Sequence, residues 1–289
     1  MADILAPEIV SELGEGPIWS DGRLYWFDIL GKRLFSAPPD GATPRIWQFD
    51  EHFSAAGRIP GGLILASETA LWRFDPEAGT KARLVALEAE RPETRSNDGR
   101  ADRQGGFWIG TMGKTAPIPE NGALYRYYRG ELRRLRSGIA IPNAICFAPD
   151  GRRGYFADTQ QDRIFTWPLD AEGWPEAEPE VFHDFSAVDG GPDGAVVDAE
   201  GALWVALWGG SRVLRLRPDG SAEAEIALPA SQITCPAFGG DLRQLYVTSA
   251  WAGLDAAARA AEPEAGRVFA AKVAIPGLPE PMVALTGRP

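Results

Sequence analysis

The chain is 289 residues long, 45% hydrophobic and carries a formal charge of −11, with 33 Gly, 24 Pro and 10 Trp. Its length and apolar content give a sizeable buried core and exclude a disordered chain. The negative charge argues against nucleic-acid or anionic-membrane partners, and the single pair of histidines, His52 and His183, excludes HExxH and three-histidine zinc sites.

The N-terminal MADILAPEIVSELGEG has neither a basic start nor a long apolar run. It predicts no signal peptide and no membrane span, and a cytoplasmic location. Two cysteines far apart, Cys146 and Cys235, agree with a reducing compartment.

Short strand-like runs then recur along the chain, each entered through a turn. The turns fall at Gly22, Gly62, Gly106, Gly151, Gly201 and near Asp241, at spacings of 40, 44, 45, 50 and 40 residues. A further run follows each: KRLFSAP, ALWRFDPEAG, GALYRYYRG, DRIFTWPLD, SRVLRLRPDG and GRVFAAKV. Each unit reads as roughly four short antiparallel strands in ~45 residues, the size of a propeller blade. The prediction is an all-β, six-bladed β-propeller with blades around a central channel, forming one domain over residues 1–289. A two-sheet sandwich does not explain a period that runs the whole length. Only LDAAARAAEPEA, residues 254–265, looks helical, as an insertion in the last blade.

About eight residues before each turn stand Glu15, Ser54, Asn97-Asp98, Asn143, Asp193 and Cys235. These positions are expected just ahead of each blade's first strand, which lines the channel. The register therefore gathers Glu15, Asn97, Asp98, Asn143 and Asp193 at one mouth. It also separates three Pro-Asp-Gly sequences: Asp150 and Asp219 sit in connecting turns, whereas Asp193 is a functional carboxylate. A single Asp or Asn ahead of a strand commonly serves local backbone N–H groups. A convergent set of carboxylates and amides needs a partner, and a cation supplies one. The all-oxygen set of Glu15, Asn143 and Asp193, with Asn97 nearby, suits Ca²⁺, Mg²⁺, Mn²⁺, Fe²⁺ or Zn²⁺. Arg95, two residues before Asn97, offers a fork of donors for a polyhydroxylated or anionic ligand.

The motifs GEGPIW, RSNDGRAD, GGFWIGTM, PNAICFAPDG and GPDGAVVDAEGALWVA together resemble the senescence-marker-protein/gluconolactonase (regucalcin-like) family, from about Glu12 to the final blade. The resemblance implies a six-bladed propeller that hydrolyses sugar aldonolactones with one divalent cation. It places the cation on Glu15, Asn143 and Asp193, with substrate contacts from Arg95 and Asn97. For lactone hydrolysis at such a site Asp193 is the candidate general base, or the residue that holds the metal-bound water. The implied partner is a small-molecule sugar lactone, and a closed propeller is expected as a monomer. Two departures stand out. Ala144 replaces the glycine that often follows the family's Asn, and is expected at negative φ. Trp251 replaces a charged residue, and with Trp208 is a candidate sugar-stacking wall. His52, beside the second-blade position, is read as a loop residue. Two other functions stay open: a cation- or ligand-binding propeller without turnover, and a propeller esterase acting on a different ester, although the latter normally needs a histidine dyad.

Overall fold

The computed structural model describes residues 2–115 and 117–285. Their strands form six four-stranded antiparallel sheets. The innermost strands are Gly14–Ser20, Phe53–Ile59, Thr94–Ala101, Pro142–Phe147, Gly191–Val197 and Ile233–Gly239. Each touches the next, and the sixth returns to the first, so the blades close into a ring. This is the predicted six-bladed propeller.

The runs chosen from the turn period are the second and third strands of every blade, for example Leu203–Trp208 and Arg212–Leu216 in blade five. Blade six closes differently from a simple repeat. Its own three strands are joined at the outer edge by Asp3–Leu5 from the N-terminal segment, paired with Val268–Lys272. That strand pins the first blade to the last and removes the break that a ring cut once would otherwise leave.

The core lies between the blades, where β-branched and aromatic side chains of neighbouring sheets interdigitate. The helix is shorter than its sequence pattern, Ala256–Ala261, and lies between the second and third strands of blade six. Asp255 caps it by accepting from the Ala258 amide at 2.8 Å. Among the described residues no helix is long and apolar enough to cross a membrane.

The segment after Val273 crosses the end of the channel that carries the strand-one to strand-two turns. Gly277 donates to Leu242 O at 2.7 Å, Val283 to Arg58 O at 2.7 Å and Ala284 to Gly105 O at 2.8 Å. Glu280 pairs there with Arg100 from the inner strand of blade three. The opposite mouth is where the inner strands begin.

Candidate active site

The residues singled out by register lie inside the inner strands, not ahead of them. Each sits where the pairing with the second strand slips: between Glu15 and Ile18, Ser96 and Gly99, Asn143 and Cys146, and Pro192 and Ala195. Blades two and six slip at the same level, between Phe53 and Ala55 and between Ile233 and Pro236. A bulge bends the strand and re-aims a side chain out of the alternating pleat. Here it turns polar side chains toward the channel axis.

Two backbone details make the bulges possible. Gly16 has φ 53°, and a Cβ there would lie 2.1 Å from the Ser54 carbonyl oxygen, so blade two can pack against Glu15 only over a glycine. Ala144 has φ 51°, contrary to the negative φ expected from its methyl group. It holds this left-handed conformation because its neighbour Ile145 is fixed from another blade: the Ile145 amide donates to Asp98 Oδ2 at 2.7 Å.

Glu15, Arg95, Asn97, Asn143 and Asp193 line one cavity of about 220 Å³, together with Leu13, Met112, Ile141, Thr159 and Trp208. All five predicted site residues are therefore brought together. Asp98 is buried behind them with both carboxylate oxygens on backbone amides, Gly99 N at 2.8 Å and Ile145 N at 2.7 Å. It braces the site rather than lining it. Asp150 and Asp219 cap their own turns, accepting from Arg152 N and Ser221 N, as connecting-turn residues should.

A continuous chain of hydrogen bonds runs across three blades. Arg95 Nη1 donates to Asn97 Oδ1 at 2.8 Å and Asn97 Nδ2 to Asn143 Oδ1 at 2.8 Å. Asn143 Nδ2 then donates to Thr159 Oγ1 at 2.9 Å, and that hydroxyl donates to Pro192 O at 2.7 Å. Asn97 spends its second amide proton on Pro142 O. It thus offers a ligand only the remaining lone pair of Oδ1.

The electrostatics are those of a site with too much negative charge. Burial, then repulsion from Asp98, pushes Glu15 up to about 8, against weaker opposing pulls from the Gly16 amide and Arg95. Burial and the charges of Glu15 and Asp98 raise Asp193 well above the usual carboxylate range. Burial alone dominates the rise of Asp98 and the fall of Arg95 to about 10. Arg95 makes no ion pair within 4 Å among the described residues, and its charge offsets the carboxylates only in part. A divalent cation held by Glu15, Asp193 and the Asn143 carbonyl oxygen would relieve this repulsion, and the oxygen donor set fits one. No three His, Cys, Asp or Glu side chains gather in metal-binding geometry among the described residues.

Some expectations change. Trp208 lines the cavity, but Trp251 does not: half-buried, it packs against the edge of the core between blades five and six, with the Arg259 guanidinium 3.8 Å above its ring. His52 is tied to Glu68 at 2.7 Å, and His183 to Gly220 O at 2.8 Å, so neither lines the cavity. Leu13, Met112, Ile141 and Thr159 were not anticipated. Met112 had a usable signal, since it stands opposite Arg95 in the pairing of blade three.

The model of the SMP-30/gluconolactonase/LRE-like region matches residues 13–251. The chain belongs to this family. Among SMP-30/gluconolactonase/LRE-like relatives, an L-arabinolactonase of Azospirillum brasilense is 39% identical over 284 residues, 96% of this chain and 93% of that one. A 6-deoxy-6-sulfogluconolactonase of Pseudomonas putida is 37% identical over 281 residues, covering 95% and 96%. The crystal structure of a calcium-binding protein, regucalcin, from Agrobacterium tumefaciens superposes with a TM-score of 0.93 at 38% identity, over 96% of both chains.

Proposed function

We propose that the chain is a lactonase that hydrolyses a sugar aldonolactone to its aldonic acid, with one divalent cation held by Glu15, Asn143 and Asp193. The observation that carries this reading is the convergence of these three residues with Arg95 and Asn97 on one cavity, in a chain of this family.

When bound, the cation supplies Lewis-acid polarisation of the ester carbonyl. The chain's own residues do the rest. Asp193 takes a proton from the attacking water and returns it to the departing ring oxygen, or else only holds that water in place for attack. Arg95 uses only Nη1 within the protein, on Ser96 O and Asn97 Oδ1. Its remaining N–H groups donate to the sugar, while the free lone pair of Asn97 accepts from a hydroxyl. Leu13, Met112, Ile141 and Trp208 form the apolar wall, packing on C–H faces and keeping bulk water from the carbonyl. The same reading has the chain working as a cytoplasmic monomer, with Cys146 and Cys235 free and buried.

The test is lactone hydrolysis by chelator-treated protein, with single cations restored and the spontaneous rate subtracted. The panel is a set of aldono-1,4- and 1,5-lactones that includes L-arabinono- and gluconolactone, after the relatives' activities. Turnover should return with a cation, and Asp193→Ala should lower kcat by about 10²–10⁴-fold. Near-wild-type turnover in folded Asp193→Ala protein sinks the assignment. Cation binding without turnover on any lactone favours a second reading, a binding protein, for which the calcium-binding Agrobacterium regucalcin is the precedent.

A further inference from the structure

We infer that Thr159 is a positioning residue that sets the orientation of Asn143 and Asp193 toward the cation. The inference rests on the reading of those two residues as cation ligands.

Thr159 opens a short 3-10 turn, Thr159–Gln161, directly after the second strand of blade four. Its backbone is fixed by the bond from its amide to Ile141 O at 3.1 Å, and its side chain lines the cavity. The hydroxyl has one proton, and this is given to Pro192 O in blade five at 2.7 Å. Only lone pairs then remain toward Asn143. They can be satisfied by the amide's NH₂ end and not by its carbonyl, and Asn143 Nδ2 donates to them at 2.9 Å. Thr159 thereby decides which end of Asn143 is which. With Nδ2 held by the hydroxyl, Oδ1 is turned toward Asn97 Nδ2 and keeps a second lone pair for a cation.

The other half of the contact acts on Asp193. The pairing of blade five slips between Pro192 and Ala195, so the peptide joining Pro192 to Asp193 lies in the bulge, outside the regular ladder. Thr159 supplies the Pro192 carbonyl with a donor from the neighbouring blade. A single hydroxyl thus couples the peptide that carries one ligand to the amide of another, across the interface between blades four and five. Asn97 and Arg95 continue the same chain on the far side of Asn143. Groups that orient ligands in this way usually change metal affinity by about 10–100-fold when removed.

The experiment compares Thr159→Val, which keeps the shape and removes the hydroxyl, with Thr159→Ser, which keeps the hydroxyl. Chelator-treated wild-type, Thr159→Val, Thr159→Ser and Asn143→Ala proteins are titrated with MnCl₂, and free Mn²⁺ is read by electron paramagnetic resonance. Thermal unfolding of the metal-free proteins reports on folding separately. Thr159→Val should raise the Mn²⁺ Kd about 10–100-fold, and Thr159→Ser should remain within about threefold of wild type. Equal Mn²⁺ affinity in folded Thr159→Val and wild-type proteins overturns the positioning role. So does a Thr159→Ser protein as weak as Thr159→Val. Wild-type protein that does not bind Mn²⁺, or Asn143→Ala protein that binds it as tightly, overturns the ligand reading and this inference with it.

Discussion

Glu15 and Asp193 are buried acids whose charges face each other and Asp98, with Arg95 as their nearby cation. Without a bound cation this arrangement carries a pH signature. The acid of Glu15 titrates at about 8 in the folded chain, against 4.5 for a free side chain. Between those values the folded state holds a proton that the unfolded chain has released. The Glu15 contribution to stability is therefore complete below about pH 4.5 and is lost as pH rises through about 8. Chelator-treated protein should lose thermal stability across that window more steeply than cation-saturated protein, and Glu15→Gln should flatten the difference. Equal slopes with and without cation contradict the electrostatic account. At this scale the sequence was legible where a residue's place in the repeat was unusual. Asp193 differs from Asp219 only by register, yet Asp193 is buried and Asp219 caps an exposed turn. The backbone of Ala144 was not legible, because the hydrogen bond beside its positive φ, from the Ile145 amide to Asp98 Oδ2, comes from the neighbouring blade.

At the scale of single elements, the turn after an inner strand does more than reverse the chain. Asp102 accepts from Gln104 N and Gly106 N through Oδ1, and from Trp108 Nε1 at 2.9 Å and Arg126 Nε at 2.6 Å through Oδ2. Asp198 makes the same four bonds in blade five, to Glu200 N, Ala202 N, Trp204 Nε1 and Arg215 Nε. One carboxylate thus fixes the turn and the register of three strands. Arg126 and Asp102 are fully buried, so removing the acid leaves an uncompensated cation. Asp102→Ala should cost about 3–5 kcal/mol by denaturant unfolding, while an apparent loss below about 1 kcal/mol would show that the pair is not a main support. The Gly-centred turns and alternating runs made the second and third strands readable in every blade. The inner strands were harder to bound. Their bulges break the period of two at the site itself, which is why Glu15, Asn97, Asn143 and Asp193 were expected ahead of the strands that contain them.

For the whole molecule, two contacts between distant parts of the chain shape the ring. Asp3–Leu5 completes blade six, and the segment after Val273 covers the channel end opposite the site. Neither was visible in the period, since both join segments that the repeat does not contain. Glu280 pairs with Arg100 inside that covered end, with both side chains 9% exposed. Glu280→Ala should therefore lower stability by about 3–5 kcal/mol in chemical denaturation, and an unchanged midpoint would show that the covering segment is only draped over the channel.

The central claim is that these three residues, contributed by three blades, hold one divalent cation. The most direct measurement is an anomalous difference map at the manganese edge from crystals grown with MnCl₂. The account predicts a single strong peak in the cavity, bounded by Glu15, Asn143 and Asp193. A peak elsewhere in the channel, or none in a cavity that the crystal leaves open, would contradict it.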